Sequence, residues 1–207
     1  AAFWDRVARA YAARPVANPD AWETTLTRTR AHLRPGDRVL EVGCGTASTA
    51  IRLAPHVAAI TASDIAAGMV TIGREKLAAA GIGNVTCVQG ALGDAALGPG
   101  PYDAVLAFNL LHLTRDPGAE AAHAHALLKP GGLFITKTAC LSGRYRLLQP
   151  VIAAMRLIGR APWVNFLSIE RLERQIADAG FQIVETGNYP AAPPARPRVL
   201  LVGTALA

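Results

Sequence analysis

A chain of 207 residues, 51% hydrophobic and 17% charged, falls in the range of one domain and can bury a full core, so a single domain over 1–207 is expected. No run of about eighteen apolar residues escapes a charge or a helix breaker, which argues against a spanning helix. The net charge of +6 would serve a nucleic acid or an anionic membrane if it were clustered, but most of the arginines are scattered.

Ala1 to Arg6 lacks a basic segment followed by an apolar core and a small-residue cleavage site, so no secretory signal is read and a cytoplasmic location is expected. Cys44, Cys87 and Cys140 are far apart and odd in number, which disfavours a disulfide framework or a zinc site. His123 and His125, two apart on a helix, point to different faces, so no metal is expected there.

Phe3, Trp4, Val7, Ala8 and Tyr11 share one face of a short first helix that Arg14-Pro15 stops. Asn18-Pro19-Asp20 starts a second helix, with Asn18 as cap and Pro19 at its first position, and Pro35-Gly36 ends it. These N-terminal helices occupy 1–35 and are expected over the C-terminal edge of a sheet. Strands follow at 38–42, 57–63, 84–89, 102–108 and 132–138, with helical segments between most of them. That alternation predicts a parallel, doubly wound sheet with helices on both faces. A helix at about 168–179 then leads to strands near 181–187 and 198–205, expected to pair as an antiparallel edge. The stretch from Pro190 to Pro197 reads as a proline-rich loop. Between the fifth strand and the late helix, 140–167 reads as an insertion over the site. It holds Leu147, Leu148, Val151, Ile152 and Met155, bordered by Arg144, Arg146, Arg156 and Arg160, and it has no acid.

Val39-Leu40-Glu41-Val42-Gly43-Cys44-Gly45-Thr46 is a buried strand breaking into a glycine turn and a helix, and glycine is needed where backbone turns sharply and approaches a ligand. An acid at Glu41 faces the cavity and suits a cationic ligand. A dinucleotide pyrophosphate would be repelled by it and would want a third glycine where Ser48 stands. Asp64, ending the second strand, can accept both ribose hydroxyls of a nucleoside.

With these motifs the chain resembles the class I S-adenosylmethionine-dependent methyltransferases, particularly the small-molecule branch that includes ubiquinone and menaquinone C-methyltransferases. Val39 to Thr46 matches that family's first motif, and Asp64 with Ile65 and Met69 its second. Tyr102-Asp103-Ala104-Val105 matches the fourth-strand motif, and Leu128-Lys129-Pro130-Gly131-Gly132 the turn into the fifth strand. The resemblance implies an α/β Rossmann-like seven-stranded mixed sheet with the last strand antiparallel, and S-adenosyl-L-methionine as cofactor. It places Glu41, Gly43, Cys44, Gly45 and Thr46 around the methionine part, Asp64, Ile65 and Met69 at the ribose and adenine, and Asn109 and Leu110 on the sulfonium side, with Tyr11 closing the pocket. Where the family often has an acid for the adenine amino group, this chain reads Gln89-Gly90-Ala91-Leu92, so Ala91 offers only backbone. Asp94 either swings in or is a surface-loop aspartate.

Methyl transfer is an in-line displacement that mainly requires the nucleophile about 3 Å from the methyl group. If a base is needed, His112 is the best placed, its alternative being a packing histidine at the pocket edge. Lys137, near the end of the fifth strand, reads as an exposed lysine, its alternative being a pocket charge, and is not counted as catalytic. The implied partner is a small-molecule acceptor, apolar or lipid-like if 140–167 lines its pocket. That segment otherwise packs on its own domain or a second subunit, and its arginines would also suit a transient visit to an anionic membrane. A nucleic-acid methyltransferase is the first rival, yet exocyclic-amine chemistry calls for an Asn/Asp-Pro-Pro-aromatic turn where Asn109-Leu110-Leu111-His112 stands. A nicotinamide oxidoreductase is disfavoured by Glu41 and Ser48, and a non-catalytic S-adenosylmethionine-binding module is the remaining alternative.

Overall fold

Seven strands in the order β3-β2-β1-β4-β5-β7-β6 form one sheet in the computed structural model, which describes residues 1–188 and 198–206. The strands are β1 (Arg38–Val42), β2 (Ala59–Asp64), β3 (Val85–Gln89), β4 (Tyr102–Phe108), β5 (Leu128–Ala139), β6 (Phe181–Asn188) and β7 (Arg198–Ala205). Strands β1 to β5 pair in parallel, while β7 runs antiparallel to both β5 and β6. The mixed sheet with a reversed last strand therefore stands as expected, with β7 inserted between β5 and the edge strand β6. The expected proline-rich loop 190–197 lies outside the described residues.

The helices are α1 (Ala2–Ala12), α2 (Pro19–His32), α3 (Ser48–Leu53), α4 (Ala67–Ala79), α5 (Pro117–Leu127), α6 (Gln149–Leu157) and α7 (Ile169–Asp178). Three of them begin on a side-chain cap that satisfies otherwise orphaned N–H groups. Asn18 accepts from Ala21 N at 3.0 Å, Asp116 from Gly118 N at 3.0 Å and Ala119 N at 3.1 Å, and Ser168 from Arg171 N at 3.2 Å. In α2 and α5 a proline follows the cap directly, where its missing N–H costs nothing.

Residues alternate across each strand, so β4 sends Ala104 and Leu106 to one face and Val105 and Ala107 to the other. On one face Leu26 of α2, Leu53 of α3 and Val70 and Leu77 of α4 pack on Val39, Ile60 and Leu106. On the other, Ala121 and Ala124 of α5 and Leu172 and Ile176 of α7 pack on Leu40, Val105, Phe134 and Phe181. With helices on both sides, the central strands β1 and β4 are buried along most of their length and read as apolar runs. Asp103 ties three strands together at their starting end, accepting from Arg38 N at 2.8 Å and pairing with Lys129 Nζ at 2.6 Å. The Tyr102-Asp103 motif is thus a fastening of β1, β4 and β5 at the end opposite the glycine turn. The last of these strands starts at Leu128, earlier than the expected 132, because Tyr102 pairs with Leu128 before a register shift.

The two N-terminal helices do not behave alike. α1 packs on α4, with Ala8 against Ala66, Met69 and Ile72. α2 packs its Leu26 in the cluster shared with α3 and α4, its first turns reach the carboxyl end of β5, and its Arg28 and His32 bond Glu185 of β6 at 2.7 Å each. No helix among the described residues is long and apolar enough to cross a membrane.

Candidate functional site

The strand order reverses between β1 and β4, and in open parallel sheets the crevice beyond the carboxyl ends at such a point is where ligands bind. The glycine turn leaves β1 there. Gly43, Gly45 and Ala47 take positive φ of 65°, 56° and 58°, winding the chain from the strand into α3. A Cβ at Gly43 would lie 2.8 Å from the Leu110 side chain, so Leu110, just beyond β4, covers that glycine. A Cβ at Gly45 would meet only the Tyr11 ring of α1, at 3.8 Å. Glycine turn, post-β4 loop and N-terminal helix therefore meet at one place.

Asp64, at the carboxyl end of β2, accepts from Gly45 N at 3.0 Å with one oxygen and from Ala66 N at 2.9 Å with the other. It locks the glycine turn to the start of α4 and keeps lone pairs for further donors. Burial raises its pKa, against hydrogen bonds from Ala66 and Gly45 that lower it. Beside it Ile65 is exposed, an apolar surface next to a polar acceptor.

Glu41 is buried in β1, and its Oε2 has no hydrogen-bond partner among the described residues. Burial pushes its carboxyl up to about 8, a hydrogen bond from the Ala50 backbone of α3 opposes this, and the charge of Asp64 adds to it. A cation brought to Glu41 would reverse that burden.

The other expected residues have the following surroundings. Met69 is buried in the contact between α1 and α4, and Cys44 in the core under α3, where desolvation raises its thiol pKa. Thr46 turns its hydroxyl to Lys76 Nζ at 2.7 Å. Gly90 and Leu92 are buried after β3, and the N–H of Ala91 is taken by Asp94 Oδ2 at 2.7 Å, so Asp94 caps its own turn. Asn109 is exposed with φ 54°, and its N–H donates to Lys137 O at 2.6 Å. His112 sits in a short turn at Leu111–Leu113, and its carbonyl accepts from Asn165 N at 2.6 Å.

Lys137 corrects the expectation of an exposed lysine. It is buried, and its Nζ donates to Ala21 O at 3.1 Å and to Thr25 Oγ1, so this side chain anchors α2 at the carboxyl end of β5. Two further residues escaped sequence reasoning. Asp5 of α1 accepts from Gly68 N at 2.8 Å and caps α4 from another helix, while Lys76 bonds both Thr46 and Ser48, bracing the turn from below. Both are charged residues within helical patterns, and nothing local distinguishes them from a solvated face.

The segment 140–167 forms a turn of 3-10 helix at Gly143–Leu148 and then α6. No residue of α6 is buried, and Leu148, Val151, Met155 and Ile158 form an exposed stripe. Arg6 of α1 donates to the carbonyl of Gly159 just past α6, so the insertion touches the helix that carries Tyr11.

A family model described as a methyltransferase domain matches residues 14–186. The chain is 31% identical over 174 residues to a ubiquinone biosynthesis O-methyltransferase of Methylocella silvestris, covering 78% of this chain and 66% of that protein. It is 27% identical over 137 residues to the highly reducing polyketide synthase lcsB of Purpureocillium lilacinum, covering 58% of this chain and 5% of that protein. The chain therefore spans less than two thirds of either relative. Among solved structures, a geranyl diphosphate methyltransferase in complex with SAM superposes with a TM-score of 0.72 at 16% identity, covering 88% of this chain and 85% of that one.

Proposed function

Since this chain belongs to the methyltransferase domain family, which uses S-adenosylmethionine, we propose that it transfers a methyl group to a small apolar or lipid-like acceptor. The observation that carries this reading is the meeting of three features at the β1/β4 crevice: a glycine turn with little above Gly45, a buried acid with an oxygen unpartnered among the described residues, and a ribose-type acceptor at the end of β2.

The residues present fit the cofactor. Glu41 has a buried oxygen, unpartnered among the described residues, for an ammonium, Asp64 retains acceptor capacity for ribose hydroxyls, and Ile65 gives an apolar face for a base. Gly43, Gly45 and Leu110 would border the methionine end, and Asn109 the sulfonium side. S-adenosylmethionine, when bound, supplies an electrophilic methyl group on a sulfonium. The chain's own task is to bring an acceptor atom to about 3 Å and hold it in line. Leu110, Asn109 and His112 follow β4 in sequence and border that space. His112 is the group we assign to take a proton where the acceptor carries one.

For the acceptor, the support is the exposed apolar stripe of α6. Such a surface gains about 25 cal/mol for each Å² of apolar area it covers, which a small polar acceptor would not use. We read α6 as the cap of the acceptor pocket. The names of two relatives, one for ubiquinone biosynthesis and one for geranyl diphosphate, point the same way. The test is to replace Leu148, Val151 and Met155 with Ser and follow labelled methyl transfer to matched apolar and polar acceptors. Transfer to apolar acceptors is expected to fall about tenfold or more, with S-adenosylhomocysteine affinity unchanged. Unaltered transfer to every acceptor would remove α6 from the pocket.

A further inference from the structure

From Ala121 to Ile169 the chain contains no Asp or Glu. Within that stretch a cavity of about 220 Å³ opens beside α6, lined by Arg146, Gln149, Trp163, Asn165 and Phe166 and by Arg171 from the first turn of α7. Two further guanidinium groups lie over the Trp163 ring, Arg156 at 4.8 Å and Arg115 at 5.3 Å from its centre. Among the described residues none of these four arginines has a carboxylate partner. Gathered cations repel one another, and each guanidinium keeps a planar fork of donors that matches a carboxylate or phosphate. Gln149 and Asn165 bring neutral amide donors to the same wall, and the positive end of α7 adds to the field. Glu170 is exposed and bonded to Ser168 rather than part of the lining.

Asn165 also ties the cavity to the reaction side, because its N–H donates to the carbonyl of His112. The apolar stripe of Leu148, Val151 and Met155 lies roughly 100° round the helix from the face carrying Gln149 and Arg156. An anionic contact and an apolar track therefore adjoin. We propose that this cavity is an oxyanion site that holds a phosphate or carboxylate group of the acceptor, so that the substrate class is an apolar molecule with one anionic end. This deepens, and rests on, the reading of the neighbouring crevice as a methyl-transfer site.

The experiment titrates the protein with inorganic pyrophosphate, with decyl phosphate and with vesicles containing phosphatidic acid, reading heat and tryptophan emission. S-adenosylhomocysteine is titrated separately. Both soluble probes are expected to bind saturably and to lose about tenfold or more in affinity in the double variant Arg146→Gln/Arg171→Gln. The control Arg34→Gln, an exposed arginine elsewhere, keeps parent affinity. Tighter binding of decyl phosphate than of pyrophosphate identifies a free amphiphile as the source of the oxyanion; binding to vesicles alone would overturn the soluble-acceptor assignment. In transfer assays the double variant is expected to raise KM for anion-bearing acceptors while leaving kcat, and neutral analogues, unchanged. Equal affinity of the double variant and parent for both probes, or no saturable binding, overturns the oxyanion site. Failure of S-adenosylhomocysteine to bind instead overturns the methyltransferase reading beneath it.

Discussion

Glu41 is buried in β1 with one carboxyl oxygen unpartnered among the described residues. Its carboxyl lies near 4.5 when exposed and is pushed up to about 8 by burial in the fold. The folded chain therefore keeps a proton that the unfolded chain has released between those values. The stability associated with the protonated group is fully present below 4.5 and is lost as pH rises toward 8, at up to about 1.4 kcal/mol per pH unit. Glu41→Gln removes that dependence, so thermal unfolding should show the variant gaining on the parent from pH 5 to pH 8. If the oxygen receives an ammonium, S-adenosylhomocysteine binding should release a proton and strengthen over the same range in the parent, whereas the Gln variant stays flat. For His112, replacement by Gln should lower kcat by roughly 10² or more for acceptors that must lose a proton and abolish the acidic limb of the pH profile. Cofactor affinity should not change, and an unaltered profile would make His112 a packing residue.

At the scale of elements, the sequence showed most clearly what is encoded locally. The Asn18-Pro19 start of α2, the strand–glycine–helix break at Gly43 and the apolar runs of β1 and β4 each depend on neighbouring residues, and each stands where it was read. The surroundings of Lys137, Asp5 and Met69 come instead from a helix distant in sequence. Lys137 bonds α2, and Met69 packs with Ala8 of α1. The same holds for Glu185, which joins β6 to α2. Hydrogen bonds from Arg28, then from His32, hold its carboxyl below the usual range despite partial desolvation. That contribution is present above the ordinary carboxylate pKa and fades as pH falls through the depressed value. Glu185→Gln should lower the melting temperature by roughly 2–6 °C at pH 7, and the difference should shrink in acid. An equal difference at every pH would mean that packing rather than charge joins these elements.

Across the whole molecule, a doubly wound sheet leaves one crevice at its switch point and surrounds it with parts from remote positions: the turn after β1, the acid after β2, the loop after β4 and the N-terminal helix. S-adenosylmethionine is expected in this crevice, held through Asp64 and the glycine turn. The decisive measurement is calorimetric titration of the parent, Asp64→Ala and Gly45→Val with S-adenosylhomocysteine, with folding of each variant checked by circular dichroism. One site is expected in the parent and a loss of about a hundredfold or more in each folded variant, since one removes the hydroxyl acceptor and the other puts a branched side chain where backbone must approach the ligand. Binding of both folded variants with parental affinity would place the cofactor elsewhere.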